Sequence, residues 1–151
     1  MLSKLYSLLT KIGNLLQPVL LLVIRLYWGW QFAIDGWGKL HNLDKVAAYF
    51  ATLNLPGPRA TACLIAVLQC VFGLFLLGGL FTRFAALILI GVMCGAYATA
   101  EMDALHAIFS DPDKFVTATP FLFLFAAVIA FCFGPGPISL DALVFKGKRS
   151  E

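Results

Sequence analysis

The sequence predicts an all-α membrane protein: a four-transmembrane-helix antiparallel bundle with an N-terminal amphipathic interfacial helix. Three observations predict it. Hydrophobic residues make up 61% of the 151 and charged residues only 13%. That is about half the charged share of a soluble domain, and a globule this small could not hide so much apolar surface from water. Apolar stretches close to the ~20 residues that cross a hydrocarbon core recur four times, and three of them carry no charged residue.

Residues 1–17 come first. Leu2, Leu5, Leu9, Ile12 and Leu16 recur at helical spacing, with Lys4, Ser7, Thr10, Lys11 and Asn14 on the opposite arc. Such a helix lies in the membrane interface with its lysines at the headgroups, or packs on a partner subunit. No small-residue cleavage site follows, so the segment is not read as a signal peptide. The transmembrane domain is expected over 18–145. Its spans are 18–40, opened by Pro18, then 60–81, 84–100 and 116–133, with Pro120 near the start of the last. Leu43, Val46, Ala47 and Phe50 suggest a short interfacial helix ended by the turn Asn54-Leu55-Pro56-Gly57-Pro58. Thr82-Arg83 joins spans two and three in a tight hairpin, and residues 101–115 form an acidic connection. Gly134-Pro135-Gly136-Pro137 stops the last span, Ser139-Leu140-Asp141 opens a short helix, and residues 146–151 are a basic tail.

Four crossings put both termini on one side. Lys4, Lys11, Arg83, Lys146, Lys148 and Arg149 share that side, against Lys39, Lys45, Arg59 and Lys114 on the other. The positive-inside rule then places the termini in the cytoplasm, and the chain in a bacterial cytoplasmic (inner) membrane. The small net charge of +3 is scattered and leaves no nucleic-acid footprint.

The first span carries most of the polar residues. Arg25, Gly29, Phe32, Gly36 and Lys39 fall within an arc of about 80°. The glycines let a second helix approach closely, and the arginine on the same face points into the bundle. Arg25 either anchors the structure, by snorkelling or by pairing with Asp141, or contacts a ligand. Gln31 and Asp35 form a second strip, and Asp35 can pair with Lys39 four residues on. Gln69 shares a face with Ala62, Ala66 and Gly73, which points it at another helix. Tyr97 and Glu101 end the third span. Asp35, Lys39, Glu101 and His106 are expected near one membrane surface, around the mouth of a polar cavity. Gly91 and Gly95 form a G-x-x-x-G, which suggests tight helix packing. Cys63, Cys70, Cys94 and Cys132 form no C-x-x-C, and no H-x-x-x-H or E-x-x-H pairing occurs. No metal site and no covalently bound cofactor are expected. Redox chemistry would need a partner or a diffusible lipid-soluble cofactor.

The stretch from Arg25-Leu-Tyr-Trp-Gly29 to Gly36-Trp-Gly-Lys39-Leu40 resembles the first-helix signature of the DoxX family. Tyr49-Phe50 through Pro58, Gly73 through Gly78-Gly-Leu-Phe-Thr82-Arg83, and Gly134 through Asp141 continue the resemblance, over about residues 20–145. Many members carry a glutamate where this chain has Gln69, and a neutral amide cannot shuttle a proton as a carboxylate can. The resemblance implies a four-helix bacterial membrane protein associated with quinone- or sulfur/thiol-linked redox chemistry. Arg25, Gln31 and Gln69 would then meet a quinone-like headgroup, with Asp35, Lys39, Tyr97 and Glu101 as further ligand-binding candidates. Gly29, Gly36, Gly73, Gly91, Gly95, Arg83 and Asp141 are read as structural. A non-catalytic accessory subunit of a larger membrane complex, docked on other subunits or on itself, is the alternative. A small transporter is the last reading, because no internal repeat is evident.

Overall fold

The computed structural model describes residues 2–145 and contains, within them, eight helices and no strand. They are α1 (Leu2–His41), α2 (Leu43–Thr52), α3 (Pro58–Gly78), α4 (Thr82–Thr99), α5 (Met102–His106), α6 (Pro112–Thr117), α7 (Pro120–Phe133) and α8 (Leu140–Phe145). Three of them, α1, α3 and α4, are long and apolar enough to cross a membrane. The four longest pack in a ring: α1 on α3, α3 on α4, α4 on α7, and α7 back on α1.

The molecule is built inside out relative to a soluble bundle. Alanines 62, 66, 85, 86, 126, 127 and 130 are buried, while Val23, Trp30, Leu64, Leu74, Leu87, Leu122 and Phe125 face outward. Hydrocarbon takes up large apolar side chains without penalty, and small residues let helix backbones close on each other. The α1–α3 seam is the tightest case. A Cβ added to Gly29 would stand 2.6 Å from the Leu77 backbone nitrogen, and one added to Gly73 would stand 2.6 Å from that of Ala33. Gly36 presses on the backbone of Ala66 and Cys70 in the same way. Three of the five glycines expected to be structural therefore sit where only glycine fits. Aromatic edges lock α7 to α1: the Phe123 ring lies 4.9 Å from Phe32 and 5.1 Å from Trp28, centroid to centroid.

Element boundaries differ from the expected ones in three places. α1 runs through Pro18 without a break at the expected 17/18 boundary. Proline fits helical φ but forfeits its N–H and crowds the carbonyl four residues back; that carbonyl belongs to Asn14, in an exposed stretch. The hairpin between α3 and α4 is formed by residues 79–81, with Thr82 and Arg83 already in the first turn of α4. Gly79 (φ 68°) turns the chain, and the Leu80 N–H bonds back to Phe75 O at 2.9 Å, a Schellman-type close. The last long helix starts at Pro120, because Ala118 is extended and proline has no N–H to extend a preceding turn. The acidic connection holds α5 and the start of α6. Residues 146–151 lie outside the described residues.

The C-terminal segment fastens the other end of the bundle. Asp141 accepts the N–H groups of Phe81 (2.7 Å) and Thr82 (3.0 Å) and the Thr82 hydroxyl (3.0 Å), so it caps α4 from 59 residues away. Ser139 Oγ accepts the Ala142 N–H at 3.1 Å and opens α8 as expected. The Arg83 guanidinium lies over Gly134, with Nε 3.2 Å from where a Cβ there would be.

Candidate functional site

Two groups of polar side chains lie within the helix ring, one at each end. At the end where α3 turns into α4, Arg25 is 5% exposed. It donates from one terminal nitrogen to Pro135 O and from the other to Ile138 O at 2.8 Å. Gly79 leaves room for it: a Cβ there would fall 2.7 Å from the guanidinium carbon. Arg25 is thus a clamp on the Gly-Pro-Gly-Pro loop. Asp141, whose carboxylate is engaged with α4, makes no direct ion pair with Arg25 but is near enough for its charge to act on the guanidinium.

At the opposite end, Asp35, Lys39 and Gln69 form a closed hydrogen-bonded ring. Lys39 Nζ donates to Asp35 Oδ2 and to Gln69 Oε1 (2.7 Å), and Gln69 Nε2 donates to the same Asp35 Oδ2 (3.0 Å). The ring follows from simple geometry. Asp35 and Lys39 are one turn apart on α1, and the Gly36 contact with Ala66 and Cys70 brings Gln69 level with them. A side-chain amide offers an acceptor to the ammonium and a donor to the carboxylate, so Gln69 satisfies both members of the ion pair. Gln69 is 1% exposed, whereas the Lys39 and Asp35 side chains are 25% and 41% exposed.

This ring borders a cavity of about 520 Å³, within the range of small-molecule sites. Tyr49, Phe50 and Leu55 close it from α2 and the turn after it. Ile65 of α3, Val92, Met93 and Ala96 of α4, and Pro120 and Phe123 of α7 supply the apolar wall. Glu101 lies on the same wall, just beyond α4.

Four of the seven expected ligand-binding residues, Asp35, Lys39, Gln69 and Glu101, therefore share one cavity. The other three do not reach it. Arg25 is at the far end. Gln31 donates to the Tyr27 hydroxyl one turn back on the same helix, at 3.1 Å. Tyr97 is buried, donates to Phe115 O at 2.7 Å and stacks on the Phe115 ring, which fastens α4 to α6. His106, expected at the mouth, is not among the lining residues. The expected packing role of Gly91 and Gly95 is corrected: a Cβ on either would meet nothing within 4 Å. Gly95 lines the cavity instead, where its missing side chain leaves space. The α2 and α7 walls were not anticipated, because their residues carry no polar signal. The four cysteines are free thiols.

A family model described as DoxX matches residues 20–102, more than half of the chain. The chain belongs to the DoxX family. It is 30% identical over 131 residues to "Inner membrane protein YphA" of Escherichia coli (strain K12), covering 83% of this chain and 90% of that protein. It is 26% identical over 129 residues to "Putative oxidoreductase CatD" of Bacillus subtilis (strain 168), covering 85% and 90%. No solved structure matches the chain. The DoxX match spans α1 to α4, and so includes the Asp35–Lys39–Gln69 ring and Glu101. Membership of this family, the apolar helices and the inner-membrane relative together make the chain a membrane protein.

Proposed function

We propose that this DoxX protein is an inner-membrane subunit of a quinone- or sulfur/thiol-linked redox system, without a redox centre of its own, that holds the diffusible reactant in the cavity between α1, α3, α4 and α7. The observation that carries this reading is the juxtaposition of a largely apolar 520 Å³ cavity with the Asp35–Lys39–Gln69 ring. An ammonium has three N–H donors, and two of those on Lys39 are engaged by Asp35 and Gln69. The third is available to a ligand oxygen. The kinship with a protein named as an oxidoreductase supports the redox assignment. Gln69 is a neutral amide that cannot shuttle a proton, so the chain's part is to bind and position a reactant.

The test is extraction of the full-length protein from native membranes in mild detergent, with analysis of the bound lipids. Quinone should co-purify, and Lys39→Leu should abolish it without changing the elution volume. Wild-type protein free of any quinone would sink the reading.

In this arrangement α7 serves as the fourth crossing, completing an antiparallel bundle, and both termini face the cytoplasm. α1 supports the interfacial placement of its first turns. At 40 residues it is about 60 Å long, roughly twice the hydrocarbon thickness. Residues 4–17 are exposed throughout, with Leu5, Leu9, Ile12 and Leu16 bare. That apolar arc has to be covered by the membrane interface or by another subunit. It favours the accessory-subunit reading as a companion to the first: the reactant binds here, and a partner performs the electron transfer. Migration on a native gel as a complex larger than the chain is the expected outcome.

A further inference from the structure

We infer that the cavity accepts an uncharged headgroup carrying a carbonyl oxygen and turns oxyanions away. This rests on the redox reading above and narrows it to one of its two ligand chemistries, the quinone-like carbonyl compound over the sulfur oxyanion or any anionic amphiphile.

Charge makes the first argument. The charged side chains on the cavity wall are Lys39, Asp35 and Glu101, one cation against two carboxylates. The cation is not available as a free charge, because Asp35 already lies against its Nζ and Gln69 bonds to it at 2.7 Å. An incoming oxyanion would have to displace Asp35 from the ammonium while facing Glu101. With Asp35 and Glu101 both on the wall, that like-charge contact is unfavourable. A neutral carbonyl needs only the remaining Lys39 N–H and disturbs nothing.

The distribution of donors makes the second. A site for oxyanions is usually built from guanidinium groups, a helix N-terminus or several converging N–H donors; the start of α7 does reach this wall at Thr119 and Pro120, but proline has no N–H and the Phe121 N–H bonds to Ala118 O at 3.0 Å. The buried guanidinium of this protein, Arg25, donates to Pro135 and Ile138 carbonyls at the other end of the bundle. The lining hydroxyls of Thr61 and Thr99 give their protons to the carbonyls of Pro56 (2.7 Å) and Gly95 (2.8 Å), and those of Tyr49 and Thr119 are neutral donors that suit a carbonyl oxygen. Ile65, Met93 and Phe123 offer the remaining wall to a ring or a hydrocarbon tail. One charge-assisted donor on an apolar surface recognises a polar oxygen on a greasy body.

The experiment uses the full-length protein in nanodiscs of zwitterionic phosphatidylcholine, with empty nanodiscs subtracted. Decylubiquinone is the neutral probe; dodecanoate and thiosulfate are the anionic ones. Decylubiquinone should bind saturably, dodecanoate roughly tenfold or more weakly, and thiosulfate should not compete. Glu101→Gln should narrow the gap between decylubiquinone and dodecanoate while leaving decylubiquinone bound. Competition by either anion at comparable affinity overturns the inference and leaves the cavity's role as a binding site intact. A Glu101→Gln variant with undiminished discrimination also overturns it. Failure of every probe to bind removes the redox reading itself.

Discussion

Two cations of one helix meet opposite fates. Arg25 and Lys39 lie on the same arc of α1, about 21 Å apart along its axis. Arg25 is wrapped by the C-terminal loop, with backbone carbonyls as partners and Gly79 pressed against it. Lys39 is tied to two side chains and borders a cavity. A guanidinium fans its donors over several fixed carbonyls and so suits a permanent clamp, whereas an ammonium is a compact charge whose donors can be shared with a guest. A charged residue inside a membrane helix is thus no sign of a site until the space beside it is known. The arginine end closes the bundle; the lysine end leaves it open.

This contrast can be broken or sharpened by substitution. The largest effect is expected at the seam that both ends share. Gly36→Leu drives a side chain into the α3 backbone and should cost about 3 kcal/mol or more, read as loss of the folded monomer peak after mild heating in detergent. Next comes Arg25→Leu, which strands two carbonyls of the C-terminal loop. A loss of about 2–3 kcal/mol is expected, visible as a lower thermal midpoint, while quinone binding per folded molecule is unchanged. Reduced binding at unchanged stability would erase the distinction between the two ends. Asp141→Ala removes the cap of α4 and should lower stability by about 1–2 kcal/mol, again without touching the ligand. Gln69→Leu unties the ring, with a stability loss of only about 1 kcal/mol but weakened quinone binding, since Lys39 is no longer held in place. Smallest for stability is Gly95→Leu: a Cβ there meets nothing within 4 Å, so the thermal midpoint should hold while the filled cavity releases its ligand.

Much of this was legible in the residues. The 3–4 spacing of Gly29 and Gly36, and the small-residue face of Gly73 and Gln69, describe an α1–α3 seam that the structure contains. Depth in the helices groups Asp35, Lys39 and Glu101, but it adds His106, which does not line the cavity, and leaves out Gln69, which does. Arg25 was harder to read. Its partners are backbone carbonyls more than a hundred residues downstream, and a carbonyl has no sequence signature. Gly91 and Gly95 misled for a related reason: periodicity tells which residues share a face but not which way the helix is rotated in the bundle. Tyr97 likewise shares the helix of the cavity wall, yet points at Phe115. The apolar walls supplied by α2 and α7 are indistinguishable in sequence from residues that face lipid.

The stitch made by residues 135–141 bears on how the protein is born. Pro135 and Ile138 receive Arg25 from the first helix, and Asp141 ties down the start of the fourth. These lie more than a hundred residues after Arg25 in the chain, so the earlier helices must wait in the bilayer, inserted but unfastened, until residues 135–141 have been made. A nascent chain stalled before residue 135 should reach the membrane normally and then be cleared by quality-control proteases, because nothing has yet been made that can shut it.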